Sequence, residues 1–407
     1  MDKVSPFARD GFPDLPPLAG VRLAAGAIGL HYRDRDDLML VELAPETTVA
    51  GVFTLSATAA APVDWCRKAL PGGVVRALVV NAGNANAFTG VAGLEAVERT
   101  IEATADLFPC RPSTVFVAST GVIGGPLGAG KITDALPGLK AKLLPSAWEQ
   151  AARAMMTTDT FAKGSTRTVD LSEGPVTING IAKGSAMIAP NMATMLVFVF
   201  TDAAIPAPLL QDMLERSVDP SFHSITVDGD TSTNDTVLLM ATGGGDEGAG
   251  LGDRQAELFQ AALNEVMLDL AHQVVRDGEG ATKFVAITVT GAIDDSQARL
   301  VGLAIANSPL VKTAIAGEDA NWGRIVMAVG NAGVAVDKNL MGVRIGGHAV
   351  AENGGPVPGY DETPVALHMT GLEIDIAVDL GTGGGAATVW TCDLTHGYID
   401  INADYRS

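Results

Sequence analysis

Gly184-Ser185-Ala186-Met187-Ile188-Ala189-Pro190-Asn191-Met192-Ala193-Thr194-Met195-Leu196 sets one hydroxyl residue, Thr194, between a Pro-Asn turn and an apolar run. Residues 195–200 are rich in Leu, Val and Phe, which reads as a buried strand that starts at Thr194. A threonine hydroxyl is a weak nucleophile until a base stands beside it. One way to supply that base is to cut the bond before the threonine and free its own α-amine, a group that titrates at about pH 8 and suits general-base work. The plainer reading makes Thr194 a strand-entry threonine that satisfies a backbone group after the turn. By pattern alone the plainer reading is the stronger.

A chain of 407 residues exceeds what one hydrophobic core usually serves, so two domains or two large lobes are expected. At 47% hydrophobic and 18% charged residues, the composition is that of a well-buried globular protein. No stretch reaches the roughly 18 uninterrupted apolar residues of a membrane helix, and Met1-Asp2-Lys3-Val4-Ser5-Pro6 lacks an apolar signal core. A cytoplasmic protein with no membrane partner is expected. Cys66, Cys110 and Cys392 are few, odd in number and far apart, which argues against a disulfide framework or a zinc site and leaves them as buried small hydrophobes. A net charge of -20 speaks against a nucleic-acid partner, which needs clustered Lys and Arg. The six histidines (His31, His223, His272, His348, His368, His396) show no metal-ligand spacing, so no metal is expected.

Short Val/Leu-rich runs at 38–43, 49–54, 76–81 and 114–119 read as strands, and 94–107 carries apolar residues at helical spacing. Further strands are expected near 167–171 and 175–182, and helices near 207–217 and 255–275. Residues 243–250 form a Gly-rich run that reads as a flexible surface loop. Residues 372–380 and 386–394, joined by Gly381-Thr382-Gly383-Gly384-Gly385, read as a hairpin. Strand, helix and Gly-rich turn alternate, so the class is α/β. No internal repeat stands out.

Two motifs are decoys. Gly125-Pro126-Leu127-Gly128-Ala129-Gly130-Lys131-Ile132 nearly spells a phosphate-binding loop, but Ile132 stands where a hydroxyl should meet magnesium and Pro126 removes a backbone donor. Asp228-Gly229-Asp230-Thr231-Ser232 starts like a calcium loop, yet Thr233 replaces the required glycine and Leu239 the bidentate acid.

Gly180-Ile181-Ala182-Lys183-Gly184-Ser185, followed by 189–196, closely resembles the cleavage signature of the ornithine acetyltransferase family, the bifunctional glutamate N-acetyltransferases of arginine biosynthesis. The likeness continues in order through Asn81-Ala82-Gly83-Asn84-Ala85-Asn86-Ala87, Ser119-Thr120-Gly121-Val122-Ile123-Gly124 and Met156-Thr157-Thr158-Asp159-Thr160. It extends through 228–235, Gly278-Glu279-Gly280-Ala281-Thr282-Lys283, 317–324 and Ile401-Asn402-Ala403-Asp404-Tyr405. Any one block alone is weak, whereas the ordered set spans most of the chain.

The resemblance implies a two-domain α/β fold: a layered αββα sandwich with a second α/β domain, autoproteolytically cleaved between Ala193 and Thr194. The pieces are an α chain of 1–193 (an N-terminal lobe) and a β chain of 194–407 (the nucleophile strand and a C-terminal lobe), which stay interwoven. It implies acetyl transfer from N2-acetyl-L-ornithine to L-glutamate through acetyl-Thr194, with Thr120 and Gly121 forming the oxyanion hole. Thr157, Lys183, Thr194, Glu279, Asn402 and Ser407 match substrate-binding positions, Lys183 suiting an α-carboxylate and Glu279 a δ-ammonium. The tail bearing Asn402 and Ser407 is expected to fold back over the site, although chain ends are by default disordered. Ser407 fills a place where threonine is also found, and Phe88 one where some relatives carry cysteine. Small amino acids are the expected partners, with no cofactor, acetyl-CoA as an additional co-substrate in bifunctional members, and two α and two β chains per assembly. The rivals are a self-cleaving N-terminal-threonine amidase or aminopeptidase, whose acyl-threonine goes to water, and a non-catalytic or nucleotide-binding protein using the loop at 125–131.

Overall fold

Most strands of the first 240 residues are apolar on both faces because sheets and helices bury them from either side. The computed structural model describes residues 4–189, 195–243 and 251–403, with strands in three sheets. One, in the order β1-β2-β4-β5, contains β1 (Val21–Gly26), β2 (Leu38–Leu43), β4 (Ala77–Asn81) and β5 (Val115–Ser119). The next runs from β3 (Thr48–Phe53) through β9 (Thr236–Ala241), β8 (Leu196–Thr201) and β7 (Gly174–Lys183) to β6 (Lys163–Leu171). The last runs from β13 (Gly355–Pro356) through β12 (His348–Glu352), β11 (Gly342–Ile345), β14 (Glu373–Asp379) and β10 (Phe284–Ala292) to β15 (Gly385–Cys392).

β8 shows how the layers form. Leu196, Phe198 and Phe200 point toward the β1-β2-β4-β5 sheet and share its core with Leu40, Val80 and Phe116. Val197 and Val199 point the other way, onto helices Ala207–Val218 and Asp253–Arg276 through Met213, Leu263 and Leu270. Helices Gly90–Leu107 and Ala129–Lys140 close the far side with Val97, Ile101, Ile132 and Leu136. This is the αββα sandwich. The third sheet has its own core with helices Asp295–Ala306, Pro309–Ala316 and Trp322–Gly330, which makes the second α/β domain.

β3, β6 and β7 precede residue 193 and β8 and β9 follow it, so both sides of the expected cleavage bond contribute to one sheet. Among the described residues β8 runs from Leu196; Thr194 and Ala193 lie outside them, as do Ser407 and nearly all of the loop expected at 243–250. Cys66 and Cys392 are buried, whereas Cys110 is partly exposed.

The expected C-terminal hairpin is corrected. β14 and β15 do not pair with each other; β10 lies between them, parallel to β14 and antiparallel to β15. The glycines that suggested a tight turn carry the chain past the end of β10. A Cβ on Gly383 would stand 2.3 Å from Ala292 O, and one on Gly385 2.2 Å from the carbonyl carbon of Asp294.

Phe200 is fully buried and meets Trp148 edge-on at 5.4 Å. Phe200→Ala is expected to cost about 3–5 kcal/mol and to lower the thermal midpoint; an unchanged midpoint would contradict the packing of the two sheets.

Candidate active site

β5 leads directly into the first candidate element. The Thr120 amide donates to Asn81 O at 3.0 Å, so that amide is already used, and Asn234 Nδ2 clamps Ser119 O at 2.9 Å. Gly121 follows at φ +128°, and a Cβ there would meet the carbonyl carbon of Gly83 at 2.3 Å. Only glycine fits this crossing. The donors left for an oxyanion are the Thr120 hydroxyl and the Gly121 N–H, which has no hydrogen-bond partner among the described residues.

Lys183, the last residue of β7, is buried and extends to Thr120, Nζ donating to Oγ1 at 3.3 Å. Among the described residues it forms no ion pair. Burial lowers its pKa, opposed by the carboxylate of Asp159, reinforced by the charge of Lys163, and opposed again by Asp235 and Glu279. Such an ammonium, enclosed and without a fixed counter-ion, suits a carboxylate ligand.

A charge cluster fixes the surroundings of Lys183. Asp159 Oδ1 accepts from Gly184 N and Lys163 Nζ, both at 2.7 Å, while its Oδ2 accepts from Thr157 N at 3.0 Å. One carboxylate thus ties the Thr157 turn to the end of β7. Lys163 Nζ also donates to Asp277 Oδ2 at 2.5 Å, and Asp277 accepts from Thr160 N at 2.9 Å. Burial would push the Asp159 pKa up, but the charges of Lys163 and Lys183 and the hydrogen bonds from Lys163 and Gly184 outweigh it and hold the carboxyl well below its ordinary value. Burial likewise opposes the Lys163 ammonium, and the two aspartates overcome it.

Two residues beyond Asp277 comes Glu279, also buried. Its N–H donates to Ser185 O at 2.8 Å, and its Oε2 accepts from Asn402 Nδ2 at 2.5 Å. Asn402 ends the helix His396–Asn402, which docks further through Tyr398 Oη donating to Asp228 Oδ2 at 3.1 Å and Thr395 Oγ1 donating to Gly280 O at 2.7 Å. The tail therefore folds back onto this region as far as it is described.

Thr120 and Lys183 meet directly, as do Glu279 and Asn402, and Thr157 joins them through Asp159. Thr194 and Ser407 lie outside the described residues. Met195, next to Thr194, is held by Asp235, whose Oδ1 accepts its N–H at 2.9 Å. Asp228 accepts from Met187 N at 2.6 Å and Ile188 N at 2.9 Å, which fixes the turn those two residues form. Lys131 of the near phosphate loop donates to Gly29 O. Sequence reasoning missed Asp159, Lys163, Asp235 and Asp277 as parts of the site. The available signal was charge in segments otherwise small or apolar, such as Asp159 and Lys163 four residues apart.

A family model described as the ArgJ family matches residues 22–407. The chain belongs to the ArgJ family. The arginine biosynthesis bifunctional protein ArgJ of Gluconobacter oxydans is 56% identical over 406 residues, covering 99% of this chain and 96% of the relative. The protein of that name from Ruegeria pomeroyi is 56% identical over 407 residues, covering 100% and 99%. The crystal structure of ornithine acetyltransferase from Mycobacterium tuberculosis, complexed with ornithine, is 35% identical over 43% of this chain and 92% of that chain, with a TM-score of 0.39. The ArgJ assignment agrees with the ordered motifs, and among the described residues no helix is long and apolar enough to cross a membrane.

Asp159→Asn leaves Lys163 with one fully buried counter-ion instead of two. The expected loss is about 3–5 kcal/mol, read as a fall in the denaturant midpoint; a shift no larger than that of an exposed ion pair such as Arg153–Glu149 would show that the cluster is not a constraint.

Proposed function

We propose that this ArgJ-family chain is an ornithine acetyltransferase that moves the acetyl group of N2-acetyl-L-ornithine to L-glutamate through acetyl-Thr194, with acetyl-CoA as a second donor. The observation that carries the reading is the buried Lys183 ammonium, without an ion-pair partner among the described residues and 3.3 Å from the Thr120 hydroxyl. Both amino acids present an α-carboxylate, and a cation beside an oxyanion donor holds that carboxylate next to the reacting carbonyl.

The Thr194 hydroxyl first attacks the carbonyl of Ala193, turning the peptide bond into an ester, and water then releases the α chain, 1–193, from the β chain, 194–407. The freed α-amine takes the hydroxyl proton as Thr194 Oγ attacks the acetyl carbonyl. The Thr120 hydroxyl and Gly121 N–H stabilise the oxyanion, collapse expels the α-amine of ornithine with the proton, and the glutamate α-amine attacks the acetyl ester in turn. Thr157, Lys183, Glu279, Asn402 and Ser407 bind the two amino acids. The shared sheet supports retention of both pieces, and the family resemblance supports a cytoplasmic assembly of two α and two β chains.

Denaturing mass spectrometry before and after exposure to N2-acetylornithine is expected to show two fragments meeting at Ala193 and Thr194, with an acetyl adduct on the second. Thr194→Ala is expected to leave one intact chain with no transfer. Intact wild-type chain, or water consuming the acetyl group in the presence of glutamate, would overturn the reading. Lys183 carries its charge below its pKa and loses it as pH rises through that value, which burial holds under the ordinary 10.5. KM for both amino acids is therefore expected to climb on the alkaline side before free lysine would titrate, and a KM flat across that range would remove Lys183 from carboxylate binding.

A further inference from the structure

The two amino acids proposed to share this site end in opposite charges: ornithine in a δ-ammonium, glutamate in a γ-carboxylate. If both place the α-carboxylate at Lys183, one subsite receives both ends. Glu279 is the buried acid there, and the described residues engage one of its two carboxyl oxygens. Asn402 Nδ2 donates to Oε2 at 2.5 Å, which fixes one oxygen as an acceptor. Glu279 Oε1 makes no hydrogen bond among the described residues, and the Thr158 hydroxyl is paired with the Ser185 hydroxyl at 2.7 Å.

With Oε2 held by Asn402, Oε1 is the carboxyl oxygen left for a ligand: ionised, it accepts from an ammonium; protonated, it donates to a carboxylate. Around the Glu279 carboxyl stand Asp228 from the segment before β9, Lys183 from the end of β7 and Tyr398 from the C-terminal helix. Burial raises its pKa, the neighbouring Thr158 hydroxyl and the Asn402 amide oppose, the charge of Asp228 raises it further, and Lys183 opposes.

We propose that Glu279 changes protonation state between the two half-reactions, ionised opposite the δ-ammonium of ornithine and protonated opposite the γ-carboxylate of glutamate, so that one subsite accepts both side chains. The inference rests on the acetyltransferase reading. The proton enters from solvent as glutamate binds and returns to it as N-acetylglutamate leaves, so a full cycle consumes none. A fixed carboxylate would repel glutamate, and a fixed amide would forgo the ion pair with ornithine.

Glutamate and ornithine each bind the mature enzyme without reacting when no acetyl donor is present. Calorimetry of each ligand at neutral pH, in two buffers of different ionisation enthalpy, therefore reads the proton directly. Glutamate is expected to take up a proton on binding to the wild-type enzyme and ornithine to take up none. Glu279→Gln, which keeps the volume and the contact with Asn402, is expected to abolish that uptake and to weaken ornithine about tenfold to hundredfold, the loss of a charged hydrogen-bond partner. As pH rises through the Glu279 titration, KM for glutamate should increase while KM for N2-acetylornithine decreases. Binding of both ligands to wild-type enzyme with no proton exchange, or an equal loss of both ligands in Glu279→Gln, overturns this inference and leaves the acetyltransferase reading intact. Failure of the wild-type enzyme to bind either amino acid overturns both.

Discussion

Asp159, Lys163 and Asp277 are sealed from water in one continuous set of hydrogen bonds, with Lys183 beside them, and each described candidate residue except the Thr120–Gly121 turn hangs from that set or from its immediate neighbour. Two acids and two bases buried together are neutral in sum. The cluster is tolerated because every carboxylate is matched by ammonium or amide donors. Through Asp159 it joins the Thr157 turn to the end of β7, and through Asp277 it reaches the loop that carries Glu279. Residues more than a hundred positions apart in sequence are thereby held in one frame, and the carboxylate of Asp159 opposes the loss of charge that burial favours at Lys183.

The fold positions these groups by layering. β7 and β8 are adjacent antiparallel strands, with Lys183 opposite Leu196, so the chain leaves the sheet after Lys183 and rejoins it at Leu196 beside its point of departure. Asp228 holds the outward leg at Met187 and Ile188, and Asp235 the return at Met195. The Thr120–Gly121 turn arrives from the facing sheet at the end of β5, so the hydroxyl of Thr120 and the amine of Lys183 meet where the two sheets come together.

Much of this was legible from residue order. β2 is legible to the residue, apolar except for Glu42, and β7 nearly so, its run being bounded by Gly174-Pro175 and Gly184. The C-terminal hairpin failed for a physical reason: strand periodicity says nothing of which strand lies beside which, and the Gly-rich link from 381 to 385 serves a crossing over β10 as well as it serves a turn. The site divided in the same way. Thr120, Lys183, Glu279 and Asn402 stood out through motif resemblance, whereas the role of Asp159 depends on a partner in its own turn, one in β6 and one beyond β7, a set that no local pattern contains. Cluster membership is a property of tertiary contact.

The interleaving of the second sheet bears on what a cut in this chain would mean. β8 and β9 come after residue 193 but lie between β3 on one side and β7 and β6 on the other, all of which come before it. A break at that point removes one covalent bond and leaves two full ladders of backbone hydrogen bonds, β7 to β8 and β3 to β9, across the two pieces. Separation would demand opening both ladders and stripping both cores at once. The pieces would stay together on dilution and melt together, but because melting then releases two chains the midpoint would rise with protein concentration, and the chain end made by the cut would remain next to Met195, which Asp235 holds.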